Sequence, residues 1–166
     1  MALEEKKTSY LTQNTYVTLN TLGPKTTYIW VIFHGIGYLS RYFLKYFDGL
    51  DPDKNYIIAP QAPSKYYLNG QYRHVGASWL TKEHTATEIN NLMSYLDGVM
   101  TSEDLPEHCR LVVFGFSQGV SIAMRWVAHR KIQCDHLILY AGGIPNELTK
   151  NQLRHLSDHC KIFFHF

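Results

Sequence analysis

At 166 residues the chain suits a single domain, 1–166, long enough to bury a core. Apolar residues make up 45% and charged residues 18%, the balance of an ordinary globular protein, which excludes a disordered one. The formal charge is only +2 and no run of lysine or arginine stands out, so nucleic-acid partners have no electrostatic footprint.

The opening "MALEEKKTSY" mixes acids and bases and offers no apolar stretch for a signal peptide. No window approaches a membrane-spanning length, so integral membrane association is not expected. The three cysteines, Cys109, Cys134 and Cys160, are widely spaced and each lies near an apolar run. That pattern predicts reduced, packing thiols in a cytoplasmic protein, with neither a disulfide framework nor a metal site.

In chain order, "TYVTLN" alternates polar and apolar residues, as a half-exposed edge strand does. "TYIWVIFHG", "NYIIAP", "RLVVFGF" and "HLILYAGG" are nearly continuous in apolar character, as strands covered on both faces are. The terminal "KIFFHF" reads as a further strand. Helical spacing joins Leu39, Tyr42, Phe43, Tyr46 and Phe47, and again Ile89, Leu92, Met93, Leu96 and Met100. "QGVSIAMRWVAHR" predicts a buried helix, and Pro145 suits the first turn of a weaker one. The stretch from Ala59 to Leu80 fits neither period and is expected to be a long functional loop. Alternating strands and helices predict an α/β domain, a mostly parallel sheet with helices on both faces.

In such a sheet, ligands bind where the chain leaves the carboxyl ends of the strands. Ser117 lies there, in "GFSQG", with a predicted strand before it and a helix after it. Glycine forms about 7% of average sequences, so the bare pattern arises by chance in roughly a few per cent of such chains. The strand-before, helix-after context carries the argument, since Gly-x-Ser-x-Gly there is a nucleophile elbow. Without it the segment would be a plain glycine turn.

The helix dipole would favour negative charge at the site, and the Gln118 amide would face a developing oxyanion. A second donor is expected on the loop after "YIWVIFHG", from the amide of Ile36, with Gly35 and Gly37 keeping that loop thin. Gly37 is also a candidate substrate contact. His34 reads as a brace for the loop in preference to a catalytic group.

"FHGIG", "APQAP", "LNG", "ASWL", "GFSQG" and "YAGG" follow one another in an order that resembles the phospholipase/carboxylesterase family of α/β-hydrolases, which includes acyl-protein thioesterases. The resemblance runs from about Tyr28 to the C-terminus. It implies an α/β-hydrolase domain acting on small-molecule or lipid esters or thioesters without a cofactor. Ser117 would be its nucleophile and Ile36 and Gln118 its oxyanion donors. Trp79 would either line the acyl side of the pocket or pin the long loop. Relatives usually carry an aspartate in the loop where this chain reads "YLSRYF", and the tyrosines Tyr66, Tyr67 and Tyr72 are distinctive.

A catalytic serine needs a histidine base and an orienting carboxylate, which in this fold follow it in the order acid, then histidine. After Ser117, His129, Asp135, His136, His155, Asp158 and His159 precede strands and so fall on the opposite edge. His165 lies inside the last strand, and Glu147 has no histidine after it on a suitable loop. His74 and His84 precede Ser117 and break the order. The triad acid and histidine are thus not found in the chain. The expectation is a domain truncated before its last strand–helix units, with roughly 50 further residues carrying the pair. The alternatives are a catalytically incomplete hydrolase-fold protein that binds an acyl or aromatic ligand, and an interaction role through the exposed last strand. A homodimer is compatible with the size.

Overall fold

The computed structural model describes residues 1–166. Its strands and helices are β1 (Tyr16–Leu19), β2 (Tyr28–Phe33), α1 (Ser40–Phe43), β3 (Asn55–Pro60), β4 (Ser64–Tyr67), β5 (Val75–Ser78), α2 (Thr85–Thr101), β6 (Arg110–Phe116), α3 (Gln118–Arg130), β7 (His136–Tyr140) and β8 (Lys161–His165). Six strands form one sheet in the order β1-β3-β2-β6-β7-β8, and β4 and β5 form a separate antiparallel hairpin. Only β1 runs antiparallel to its neighbour; the other pairs are parallel. The mostly parallel sheet expected from the apolar runs is therefore present.

Alternation along each strand divides the core in two. Ile29, Val31, Phe33, Ile58, Val113, Leu137 and Leu139 face α2 and α3, where Leu92, Met93, Leu96, Ile122 and Trp126 close over them. Ile32, Ile57 and Ala59 face the other way and are covered by Phe43 and Leu44. Trp126 and Trp79 both pack edge-on against Phe33, at 5.8 and 5.6 Å between ring centres. Burying each such aromatic contributes about 1.5–3 kcal/mol.

Three sequence expectations change. The Leu39–Phe47 stripe is one α-helical turn followed by a 3-10 turn at Leu44–Phe47, with Tyr42 and Tyr46 pointing to solvent. No α-helix starts at Pro145; the segment is irregular until a 3-10 turn at Lys150–Leu153, which a Thr149–Gln152 capping box opens. The Ala59–Leu80 stretch contains the β4–β5 hairpin. Its first strand is exposed at all four residues, so hydrophobic periodicity carries no trace of it.

Strand order fixes where a ligand site belongs. From β2 the chain moves outward to β3 on one side, then returns to place β6 on the other. Loops leaving β2 and β6 consequently diverge, opening a crevice at the carboxyl ends of these adjacent strands. The Gly35–Gly37 loop follows β2, and Ser117 follows β6.

Candidate active site

Ser117 joins β6 to α3 with φ 53° and ψ −118°. A non-glycine residue held there costs on the order of 1–3 kcal/mol unless its surroundings enforce it. Several contacts enforce it. The Ser117 amide donates to the Tyr140 carbonyl at 2.9 Å, and the Val120 amide donates to the Ser117 carbonyl at 3.0 Å. A Cβ on Gly115 would stand 2.6 Å from the Gly119 carbonyl oxygen, and one on Gly119 would overlap the Phe33 carbonyl. Gly142 packs equally tightly on the Ser117 carbonyl. Three glycines thus let strand, helix and the loop after β7 converge on one residue.

The β2 loop reaches the same point. A Cβ built on Gly35 would lie 3.2 Å from the Ser117 Cβ. Gly35 to Tyr38 form a turn closed by the Tyr38 amide on the Gly35 carbonyl, 3.3 Å, and Gly37 takes the positive φ, 84°, that glycine accepts without penalty. The Gly37 amide is spent on the Ala77 carbonyl at 2.8 Å. The Ile36 amide has no backbone or side-chain acceptor. Gln118 is the first residue of α3, so its amide has no acceptor within the helix. Ser117, Ile36, Gln118 and Gly37 are brought together, with two amides available beside the serine.

His34 is fully buried beneath this loop. Its Nδ1–H donates to the Gly35 carbonyl at 2.8 Å, and its Nε2 accepts the Ala62 amide at 3.1 Å. Burial pushes its pKa down to about 4, so the ring is neutral near pH 7. Trp79 is buried as well, its indole N–H donating to the His34 carbonyl at 2.7 Å. The indole therefore pins the Gly35–Gly37 loop from below, and only 1% of the residue is exposed towards any ligand.

Two side-chain roles were not anticipated from sequence. The Gln118 Oε1 accepts the Trp79 amide at 2.9 Å, and its Nε2 donates to the Leu80 carbonyl at 2.8 Å. This clamps the start of α3 to the segment after β5. Gln61 is 4% exposed, and its Oε1 accepts from both the amide and the hydroxyl of Ser40. The visible signal was a glutamine inside the apolar "NYIIAPQAP", which only a buried hydrogen-bonding role explains.

No protein-family model and no curated protein matches the chain. Solved structures do match in shape. Acyl-protein thioesterase 2 of Zea mays superposes with a TM-score of 0.58 at 16% identity, covering 86% of this chain and 68% of that one. A phospholipase/carboxylesterase of Dyadobacter fermentans gives 0.60 at 13% identity, covering 95% and 90%. Esterase PE8 gives 0.61 at 20% identity, covering 93% and 75%. The chain has the α/β-hydrolase fold.

In this α/β-hydrolase fold the elbow serine stands without a hydrogen-bonded base. No side chain bonds the Ser117 hydroxyl, and each histidine with a polar partner is engaged elsewhere. His84 pairs with Glu5 at 3.1 Å, and the His155 ring lies between the Gln152 and Ile132 carbonyls, 3.0 and 3.1 Å from its two nitrogens. His165 stacks on Tyr140, 4.9 Å between ring centres. Asp135 accepts the Leu111 amide at the amino end of β6, the edge opposite Ser117. Glu147 is on the correct edge, but Arg125 holds its carboxylate at 2.7 Å. Partial burial raises the Glu147 pKa, yet the backbone and Arg125 outweigh that and leave it lowered.

The loop Gly142–Ile144 separates two grooves. One, of about 660 Å³, is apolar and ends at Phe164 and Phe166. The other, of about 540 Å³, is polar and runs past Lys82, Gln118, Arg125 and Glu147. No group of three or more His, Cys, Asp or Glu side chains converges on a possible metal position.

Proposed function

We propose that the chain is a serine hydrolase domain that cleaves carboxylic esters or thioesters, of small molecules or lipids, through an acyl-enzyme on Ser117. One observation carries the reading: a non-glycine residue held at positive φ, between strand and helix, at the switch point of the sheet and beside two amides without acceptors. The Ser117 hydroxyl attacks the ester carbonyl. The Ile36 and Gln118 amides receive the charge on the carbonyl oxygen, where loss of one such donor costs about 3–4 kcal/mol of barrier. Collapse expels the alcohol or thiol, and water then releases the acid. Gly37 borders the substrate, and Trp79 acts through the loop it supports. The three similar structures are those of an acyl-protein thioesterase, a phospholipase/carboxylesterase and an esterase, which supports this choice of reaction.

Proton removal from Ser117 needs a base, and none of residues 1–166 bonds its hydroxyl. Full activity is proposed for a site to which an imidazole and a carboxylate are added at the carboxyl edge beside β8. Oxyanion stabilisation and binding alone sustain roughly 10³–10⁴-fold acceleration. The unengaged hydroxyl also favours a second reading, in which the domain binds an acyl or aromatic ligand without turnover. Hydrolysis of p-nitrophenyl acetate separates the two. Turnover that falls to background in Ser117→Ala supports the hydrolase, whereas equal rates in both proteins contradict it.

No helix is long and apolar enough to cross a membrane.

A further inference from the structure

Away from the elbow, the structure brings two of the three thiols together. Cys134 lies two residues before the start of β7 and Cys160 immediately before that of β8, and their sulfurs stand 3.9 Å apart. Cys109 is separate, its thiol donating to the Thr26 carbonyl at 3.3 Å.

The backbone around the pair is fixed from both sides. The Lys161 amide donates to the Asp135 carbonyl at 2.8 Å, and the Asp135 amide donates to the Leu111 carbonyl at 2.8 Å. His136 pairs with Lys161, so the register places Cys160 opposite Asp135 and makes Cys134 its diagonal neighbour. A disulfide holds its sulfurs about 2.05 Å apart, so closure shortens the 3.9 Å gap by about 2 Å.

We propose that Cys134 and Cys160 are an oxidation site that closes to an intramolecular disulfide and fastens the edge strand β8 to β7. Cys160 is the more exposed partner and meets the oxidant first; Cys134 is buried. With a peroxide, the Cys160 sulfur takes one oxygen to become a sulfenic acid, and one water leaves. The Cys134 sulfur then attacks the Cys160 sulfur, the S–O bond breaks, and a second water carries away the remaining thiol proton. Two thiols have lost two electrons and two protons, and one peroxide has become two waters. Burial raises the pKa of both thiols, so closure is slow and a passing oxidant leaves the pair reduced.

The consequence follows from the position of β8. It is paired on one side only, and Ile162 and Phe163 are half exposed on it. Its far end leads to the elbow, because the His165 carbonyl accepts the Ala141 amide at 2.7 Å, next to the Tyr140 carbonyl that holds Ser117. A covalent bond at the near end limits fraying of an element that supports the elbow.

The test is hydrogen peroxide treatment without reductant, then alkylation under denaturing conditions and peptide mass mapping. The expected result is a loss of about 2 Da, a linked Cys134–Cys160 peptide and alkylated Cys109. The melting temperature should rise by about 5–10 °C and return on reduction. The Cys109→Ser variant should respond identically, and Cys160→Ser should show neither change. Recovery of Cys134 and Cys160 as separately alkylated thiols, or a link through Cys109, would overturn the proposal.

Discussion

The Ser117 amide and the Tyr140 carbonyl are 2.9 Å apart, and through that one bond the end of β7 holds the strained elbow of β6 in place. Neighbouring parallel strands thus share the cost of a backbone conformation that neither would keep alone. Phe116 and Tyr140 stack beside the bond, 5.9 Å between ring centres. Removing side chains at Gly115, Gly119 and Gly142 is what lets the backbones approach so closely.

Gly119→Ala tests that closeness. The added methyl meets the Phe33 carbonyl, which is backbone and cannot swing away. Urea denaturation should show a loss of about 2–4 kcal/mol. Gly49→Ala is the control: nothing lies within 4 Å of the added atom, and the change should stay within about 0.5 kcal/mol. Equal stability of both variants would remove the packing argument for the elbow.

The Ile36 amide is tested by separating backbone from side chain. Ile36 is 54% exposed, so Ile36→Ala should leave stability and ester turnover close to the parent values. Ile36→Pro deletes the N–H and should lower kcat by about 10²–10³-fold with little change in KM. A proline variant that folds, as judged by its melting curve, and keeps full kcat would exclude this amide as an oxyanion donor.

His34 makes stability pH-dependent in a defined window. Its folded pKa, about 4, lies below the ordinary 6.5, so the unfolded chain takes up the proton first as pH falls. Stability from the neutral, buried ring is complete above pH 6.5 and is lost as pH falls from there towards 4. Between pH 7 and pH 5 the loss should be about 2 kcal/mol by urea denaturation. A His34→Gln variant should lack this component. A parent protein with flat stability across that interval would contradict the assignment.

Strands were legible because burial on both faces writes long apolar runs. "NYIIAP" and "RLVVFGF" coincide with β3 and β6 residue for residue. The α3 segment was equally plain, since its apolar positions repeat at helical spacing from Gln118 to Arg130. The β4–β5 hairpin was not, because Ser64–Tyr67 is exposed and backbone pairing alone holds it. Near Ser117 the glycines and the serine itself were readable, as a tight turn needs those residues in that order. The clamp made by the Gln118 side chain was not. It depends on Trp79 and Leu80, 39 and 38 residues away in sequence, and no local pattern encodes such a contact.

The most direct test of the central claim is covalent. The protein, incubated with a fluorophosphonate ester, digested and mapped by mass spectrometry, should carry a single phosphonyl adduct on Ser117. Ser117→Ala should carry none, and the neighbouring Ser121 should stay unmodified in both. An unmodified Ser117, or an adduct that persists in Ser117→Ala, would contradict the reading of this elbow as the seat of a nucleophile.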